Sequence, residues 1–327
     1  MRSRKAKSRL RKGAPDERGK AGHAFLCRMS DAAAIGKENL ARHRQSASRA
    51  QVSRANPAMS LPIGAPPGSY PPMNTPTSLA GNAAQLASPS YRIPALDQDF
   101  LLGDSMRGTR FLIEYAKAEE ALRAYSVRST IVVFGSARVR QDGPGRQPFW
   151  YAQARRFGRI ASERGGALKP HGAVRENVIA TGGGPGIMEA ANRGASEAGA
   201  PSIGFNITLP QEQEPNAFTT PDLTFRFHYF AMRKMHFAMR ANALVVFPGG
   251  FGTLDELFEL LTLRQTGKEP DLPIVLVDEA YWQRVVSFDA LVEGGMVGRE
   301  ELSLFRFAED AESTWAALME HGLNLHR

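Results

Sequence analysis

The chain has 327 residues, 43% of them apolar and 23% charged, with one cysteine and a net charge of +8. That length suffices for one large or two ordinary domains with a buried core, and the composition is globular. The lone Cys27 excludes a disulfide framework and a cysteine metal cluster, and no apolar run approaches the ~18 residues of a membrane span, so a soluble, cytoplasmic protein is expected.

The charge is unevenly placed. Residues 1–60 hold 15 Lys/Arg against 4 Asp/Glu, a surplus of 11, whereas the remainder holds 26 basic and 29 acidic residues, a deficit of 3. From "MRSRKAKSRLRKG" to "SLAGNAAQLASPSYRIP" apolar periodicity is missing and Pro, Ser, Ala and Gly abound. Such a segment buries too little surface to offset its ordering entropy, so residues 1–95 are predicted to be a mostly disordered basic tail. Three readings of it are open: an inert extension (or a true start at Met59 or Met73), a transit peptide, and a basic arm for nucleic acid. The near-neutral to acidic remainder offers nucleic acid no groove, which disfavours the last.

Residues 96–327 are expected to form the folded domain. Asp104 or Ser105 is a candidate N-cap. Behind it Phe111, Tyr115, Ala118, Leu122 and Tyr125 share one helical face, and Arg110, Glu114, Lys117, Glu120 and Arg123 share the other. A rhythm then sets in: strand "TIVVF" ending in "GSAR", helix "PFWYAQARRFGRIASERG", strand "NVIAT" ending in "GGGPG", helix "IMEAANRGASEAG" and strand "SIGFNITLP". Helix "FHYFAMRKMHFAMRAN", strand "ALVVF" ending in "PGGFGT", helix "LDELFELLTLRQTG" and strand "LPIVLVD" follow, and a last helix covers "DAESTWAALMEHG". Five short apolar strands alternating with helices predict an α/β fold, a doubly wound, Rossmann-like parallel sheet with helices on both faces. Ligands of such sheets bind beyond the carboxyl ends of the strands, where the glycine-rich stretches of this chain fall.

Glycine lets backbone amides approach a ligand closely, and a helix starting just beyond adds its N–H groups and dipole. Residues 134–138, 181–186 and 248–253 therefore predict an anion site. The G-x-G-x-x-G fingerprint fails at Ile187, and no G-x-x-x-x-G-K-[ST] occurs. A small phosphorylated ligand fits better than a dinucleotide or triphosphate. In "PGGFGTLDE", Pro248 ends the strand, Gly249, Gly250 and Gly252 make the cradle, and Thr253 supplies a hydroxyl and an amide. Asp255 and Glu256 fall in the expected first helical turn, and Glu256 shares a face with Glu259 at i+3. One acid there complements the helix dipole; a second beside an anion site exceeds what capping needs, and Glu256 is taken as functional.

This stretch resembles the P-G-G-x-G-T-x-x-E motif of the LONELY GUY (LOG) family, cytokinin riboside 5′-monophosphate phosphoribohydrolases also labelled lysine decarboxylase-like. "MRK", with Arg233 and Lys234, stands at the family's Arg-Lys pair, 23 positions before Glu256. "GSAR", "TGGGPGIMEAANRGA" and the T-x-x-Q-x-G of Thr262, Gln265 and Gly267 extend the resemblance over roughly residues 130–290. "GGGPGIMEA" and the long loop "LPQEQEPNAFTTPDL" are similar to the longer bacterial branch, where the base is adenine of AMP or another nucleobase.

The resemblance implies hydrolysis of the N-glycosidic bond of a nucleoside 5′-monophosphate to free base and ribose 5-phosphate. Departure of the base leaves an oxocarbenium-like sugar that a carboxylate stabilises while water is positioned, the role expected of Glu256. Arg233 is suited to phosphate or to negative charge developing on the base. Gly249, Gly250, Phe251, Gly252 and Thr253, with Gly183 and Gly184, are expected to cradle the phosphate. Ser136, Lys234, Glu259 and Thr262 join the substrate-binding set, and Glu212 matches a family glutamate loosely. No cofactor and no metal are implied: His228 and His236 read as core or interface residues, and nothing suggests a pyridoxal-phosphate lysine. The family pairing through helices beside the site implies a homodimer or larger assembly. The alternative is a non-catalytic nucleotide-binding or sensing protein on the same fold.

Overall fold

The computed structural model of the protein describes residues 81–170, 173–209, 214–269 and 272–325. The expected tail falls mostly outside these, as does Glu212. Described from Gly81 onward, the chain first makes two short helices, α1 (Ala83–Ala87) and α2 (Gln98–Leu102), whose side chains are nearly all exposed. Asp104–Met106 form a 3-10 turn, and α3 (Arg107–Ala124) is capped by Met106. Asp104 and Ser105 are thus displaced from the N-cap predicted for them, because the 3-10 turn consumes both.

Seven parallel strands form one sheet in the order β4-β3-β2-β1-β5-β6-β7. The central five are those the apolar runs predict: β1 (Thr130–Phe134), β2 (Val178–Thr181), β3 (Ser202–Ile207), β5 (Ala241–Val246) and β6 (Ile274–Val277). All but Ile207 of β3 are buried along their whole length, since helices cover both faces. Both edge strands, β4 (Thr224–Phe227) and β7 (Arg306–Ala308), were not among the five. Between the sheet strands run α4 (Gln147–Arg164), α5 (Ile187–Glu197), α6 (Phe230–Met239), α7 (Phe251–Gln265), α8 (Glu279–Val285) and α9 (Phe288–Glu293), and α10 (Ala311–Glu320) follows β7.

One core layer packs Leu122, Phe237, Leu257 and Trp282 from α3, α6, α7 and α8 against β1, β3 and β5. The other packs Phe157, Ile187 and Trp315 from α4, α5 and α10 against Ile131, Ile179 and Ala243. Each such fully buried large side chain contributes roughly 1.5–3 kcal/mol. Val132 pairs with Ala180 of β2 on one side and Leu244 of β5 on the other. Strand order reverses direction at β1/β5, so the crevice beyond their carboxyl ends is the place for a ligand. Among the described residues no helix is long and apolar enough to cross a membrane.

Candidate active site

At that crevice lies a cavity of about 790 Å³. The loop after β1 supplies Ser136, Arg138 and Val139, the corner after β2 supplies Gly182, and α5 supplies Met188. From β5 and α7 come Pro248, Gly249, Gly250, Phe251, Gly252, Thr253 and Glu256, and from α6 comes Arg233.

The corner after β5 is built for an anion. Gly250, the N-cap of α7, has no side chain to accept from the helix's first N–H groups. Thr253 and Leu254 donate to the Gly250 carbonyl at 2.9 Å, but among the described residues no acceptor takes the amides of Gly249, Gly250, Phe251 or Gly252. Helix α7 begins at Phe251, earlier than expected, because the glycine at 252 is accommodated inside it. Glu256 consequently sits in the second turn, and its first-turn dipole role disappears.

Glu256 is 3% exposed and lies 3.1 Å from Arg233 Nη2. Burial pushes its carboxyl above the ordinary range, against the opposing pull of Arg233 and Lys234. Burial likewise draws the Arg233 guanidinium down, and Glu256 offsets only part of this. Arg233 stacks over Phe230 and Phe237 at 5.1 and 5.7 Å, while its Nε is buried with no partner. A charge pair held this far from water carries an uncompensated desolvation cost, which suits a site awaiting a polar ligand better than a stability device. Lys234 turns to the other side of the same helix head: its Nζ is 2.8 Å from Asp255 and Glu259 and 3.4 Å from Glu256. Burial lowers its basicity, but these carboxylates outweigh that and raise it.

The helix carrying Arg233 is fixed from outside the motifs. Glu114 of α3 accepts from the amides of His228 and Tyr229, just ahead of α6, at 3.0 and 3.2 Å, and Arg110 donates to the Tyr229 hydroxyl at 2.9 Å.

The model of the family described as "Possible lysine decarboxylase" matches residues 188–318, a span that holds Arg233 and Glu256. Over 198 residues the chain is 26% identical to the probable cytokinin riboside 5′-monophosphate phosphoribohydrolase LOG4 of Oryza sativa subsp. japonica, covering 59% of this chain and 77% of that protein. Over 149 residues it is 28% identical to the cytokinin riboside 5′-monophosphate phosphoribohydrolase LOG4 of Arabidopsis thaliana, covering 44% and 67%. The chain is therefore similar to LOG proteins over the span that holds Arg233 and Glu256. Among solved structures, the X-ray structure of TM1055, a structural-genomics target, is similar with a TM-score of 0.43 at 19% identity, over 59% of this chain and 99% of that one.

Not every residue expected at a LOG-type site faces the cavity. Gly182 lines it, whereas Gly183 and Gly184 turn their carbonyls to Asn216, at 2.8 and 3.0 Å. Thr262 is exposed and donates back to the Phe258 carbonyl, and Glu259 holds Lys234. Phe251 is 93% exposed at the mouth. Ser136 does face the cavity, its hydroxyl accepting from the Arg138 amide at 3.0 Å. His236 is buried among Tyr115, Phe205 and Phe227, the packing role expected of it. Trp150 and Tyr281 also line the cavity, unforeseen from sequence. They come from α4 and α8, 131 residues apart, and no local pattern announces their meeting.

Proposed function

We propose that this chain hydrolyses the N-glycosidic bond of a nucleoside 5′-monophosphate, a cytokinin riboside monophosphate or AMP, releasing the free base and ribose 5-phosphate. The observation that carries this reading is the buried Glu256 carboxylate against Arg233, in one cavity with four consecutive amides that have no acceptor among the described residues. The phosphate docks on the amides of Gly249–Gly252, where the helix dipole favours it. The carboxylate of Glu256 faces the ribose and stabilises positive charge growing at C1′ as the C1′–N bond breaks. The electron pair of that bond leaves with the base, whose developing negative charge Arg233 meets. Water adds to C1′ and becomes the sugar hydroxyl, and the proton it gives up neutralises the departed base. Binding a nucleotide without turning it over would not need a carboxylate buried at this cost, which weighs against the sensing alternative.

The test is base release from AMP, GMP, CMP, UMP, IMP and isopentenyladenosine monophosphate, with adenosine as the control lacking phosphate. Phosphate binding is remote from the reacting bond, so its loss reduces turnover as well as affinity. AMP or the isopentenyl nucleotide should exceed adenosine by orders of magnitude in kcat/KM. Base release from none of the six, or equal values for AMP and adenosine, would end the reading.

A further inference from the structure

A residue outside the recognised motifs grips the glycine cradle. Tyr281 of α8 donates its hydroxyl to the Gly249 carbonyl at 2.7 Å. In a trans peptide the C=O and N–H point in opposite directions. Turning the Gly249 carbonyl toward Tyr281 therefore turns the Gly250 N–H away from it, and that N–H is one of the four without an acceptor among the described residues.

Tyr281 is itself held from two sides. Its amide donates to Asp278 Oδ1 at 3.1 Å, and the Trp150 ring meets its ring edge-on, centroids 5.6 Å apart at 71°. Trp150 Nε1 in turn donates to Asp278 Oδ2 at 2.7 Å, with Arg146 Nε 3.2 Å from the same oxygen. Asp278 is 1% exposed and stands just past β6 with φ of 69°, a left-handed conformation that a residue with a side chain rarely adopts. A conformation of this kind persists only where the surroundings over-determine it. Here a single buried carboxylate ties the head of α4 to the head of α8, and α8 to the cradle.

We infer that Tyr281, oriented by Asp278 and Trp150, is a positioning residue that sets the Gly249–Gly250 peptide for anion binding. The inference rests on the phosphate-cradle reading given above, and it assigns the brace no contact with the reacting atoms. It is tested by calorimetric titration of wild type, Tyr281→Phe and Trp150→Phe with ribose 5-phosphate and with ribose, alongside base release from AMP. Tyr281→Phe deletes one hydroxyl and keeps the ring. Losing one hydrogen bond of ordinary strength predicts about tenfold weaker binding of ribose 5-phosphate with ribose unaffected, and about tenfold lower kcat/KM on AMP. Trp150→Phe should move the same values in the same direction by about threefold, since it acts one bond further away, and it decides the matter if Tyr281→Phe does not fold. Wild-type affinity for ribose 5-phosphate in a folded Tyr281→Phe, or equal losses for ribose and ribose 5-phosphate, overturns the inference. A wild type that binds ribose 5-phosphate but releases no base sinks the proposed reaction and leaves the brace standing. A wild type that binds no phosphate ligand sinks both.

Discussion

The corners after β2 and β5 both read as glycine runs at the end of a buried strand, yet the fold uses their glycines differently. At the β2 corner, Gly186 holds φ of 71° and ψ of −126°, and a Cβ there would fall on the backbone of Ser136 and Ala137. Gly183 holds φ of 70°, and a Cβ would meet the buried Asn206 side chain. At the β5 corner, a Cβ on Gly249 would overlap the Thr253 side chain, whereas Gly250 and Gly252 have nothing within 4 Å of one. Glycines of the first kind let two loops of the protein pass close together. Glycines of the second kind keep a space clear that no protein atom fills. The labour is divided accordingly: Gly183 and Gly186 pack against neighbouring segments, and Gly250 and Gly252 face the cavity.

That division breaks most visibly at Gly186. Alanine there combines a conformation open to glycine alone with overlap on backbone atoms that cannot swing aside. A loss of about 3 kcal/mol or more is expected, from roughly 1–2 for the conformation and roughly 1–3 for overpacking. Denaturant unfolding would read it as a lowered midpoint at unchanged slope. A variant as stable as wild type would show that this corner is not the packed one.

The next largest effect falls on chemistry and leaves the fold in place. Glu256→Gln preserves size and removes charge, so turnover should drop about 100-fold or more, equivalent to about 2.7 kcal/mol, while nucleotide affinity changes far less. Equal turnover by the two proteins would remove Glu256 from the mechanism. The same carboxylate predicts a pH dependence whose sign follows from burial. On the proposed mechanism its ionised form is the working one, and burial raises its pKa, so kcat/KM should fall as pH falls through a value above the ordinary glutamate range near ~4.3. A rate that stays flat down into that ordinary range would contradict a buried, ionised Glu256.

Much of this arrangement is legible in the sequence, for identifiable reasons. The five central strands are continuous apolar runs stopped by glycine, and burial on both faces is what writes such runs. The edge strands escape detection because neither burial nor length marks them: β4 alternates around the exposed Arg226, and β7 spans three residues. Arg233 and Glu256 are readable because their spacing across one strand is a motif in itself. Gly183 and Gly184 are misplaced as cavity residues because a glycine run does not say which member faces a ligand and which faces Asn216. Trp150 meets Asp278 and Tyr281 only through tertiary packing, as Glu114 meets the residues just ahead of α6.

The smallest expected effect is also the one that separates the two corners by sign. Gly252 is the second residue of α7, lines the cavity and would place a new methyl in open space. Exchanging glycine for alanine inside a helix stabilises by up to about 1 kcal/mol, less in the first turn, so Gly252→Ala should unfold at the wild-type temperature or about 2 °C above it. On the proposed phosphate-cradle reading, the methyl enters the space the phosphate would take and keeps it from reaching every cradle amide. Affinity for ribose 5-phosphate should fall about tenfold, the size of one ordinary hydrogen bond lost. Stability and binding thus move in opposite directions here, whereas at Gly186 the fold itself gives way. Paired thermal melts and titrations of Gly186→Ala and Gly252→Ala make the comparison. If Gly252→Ala binds ribose 5-phosphate as wild type does, the space above the β5 corner is not where the phosphate lies, and the corner is a turn like its neighbour.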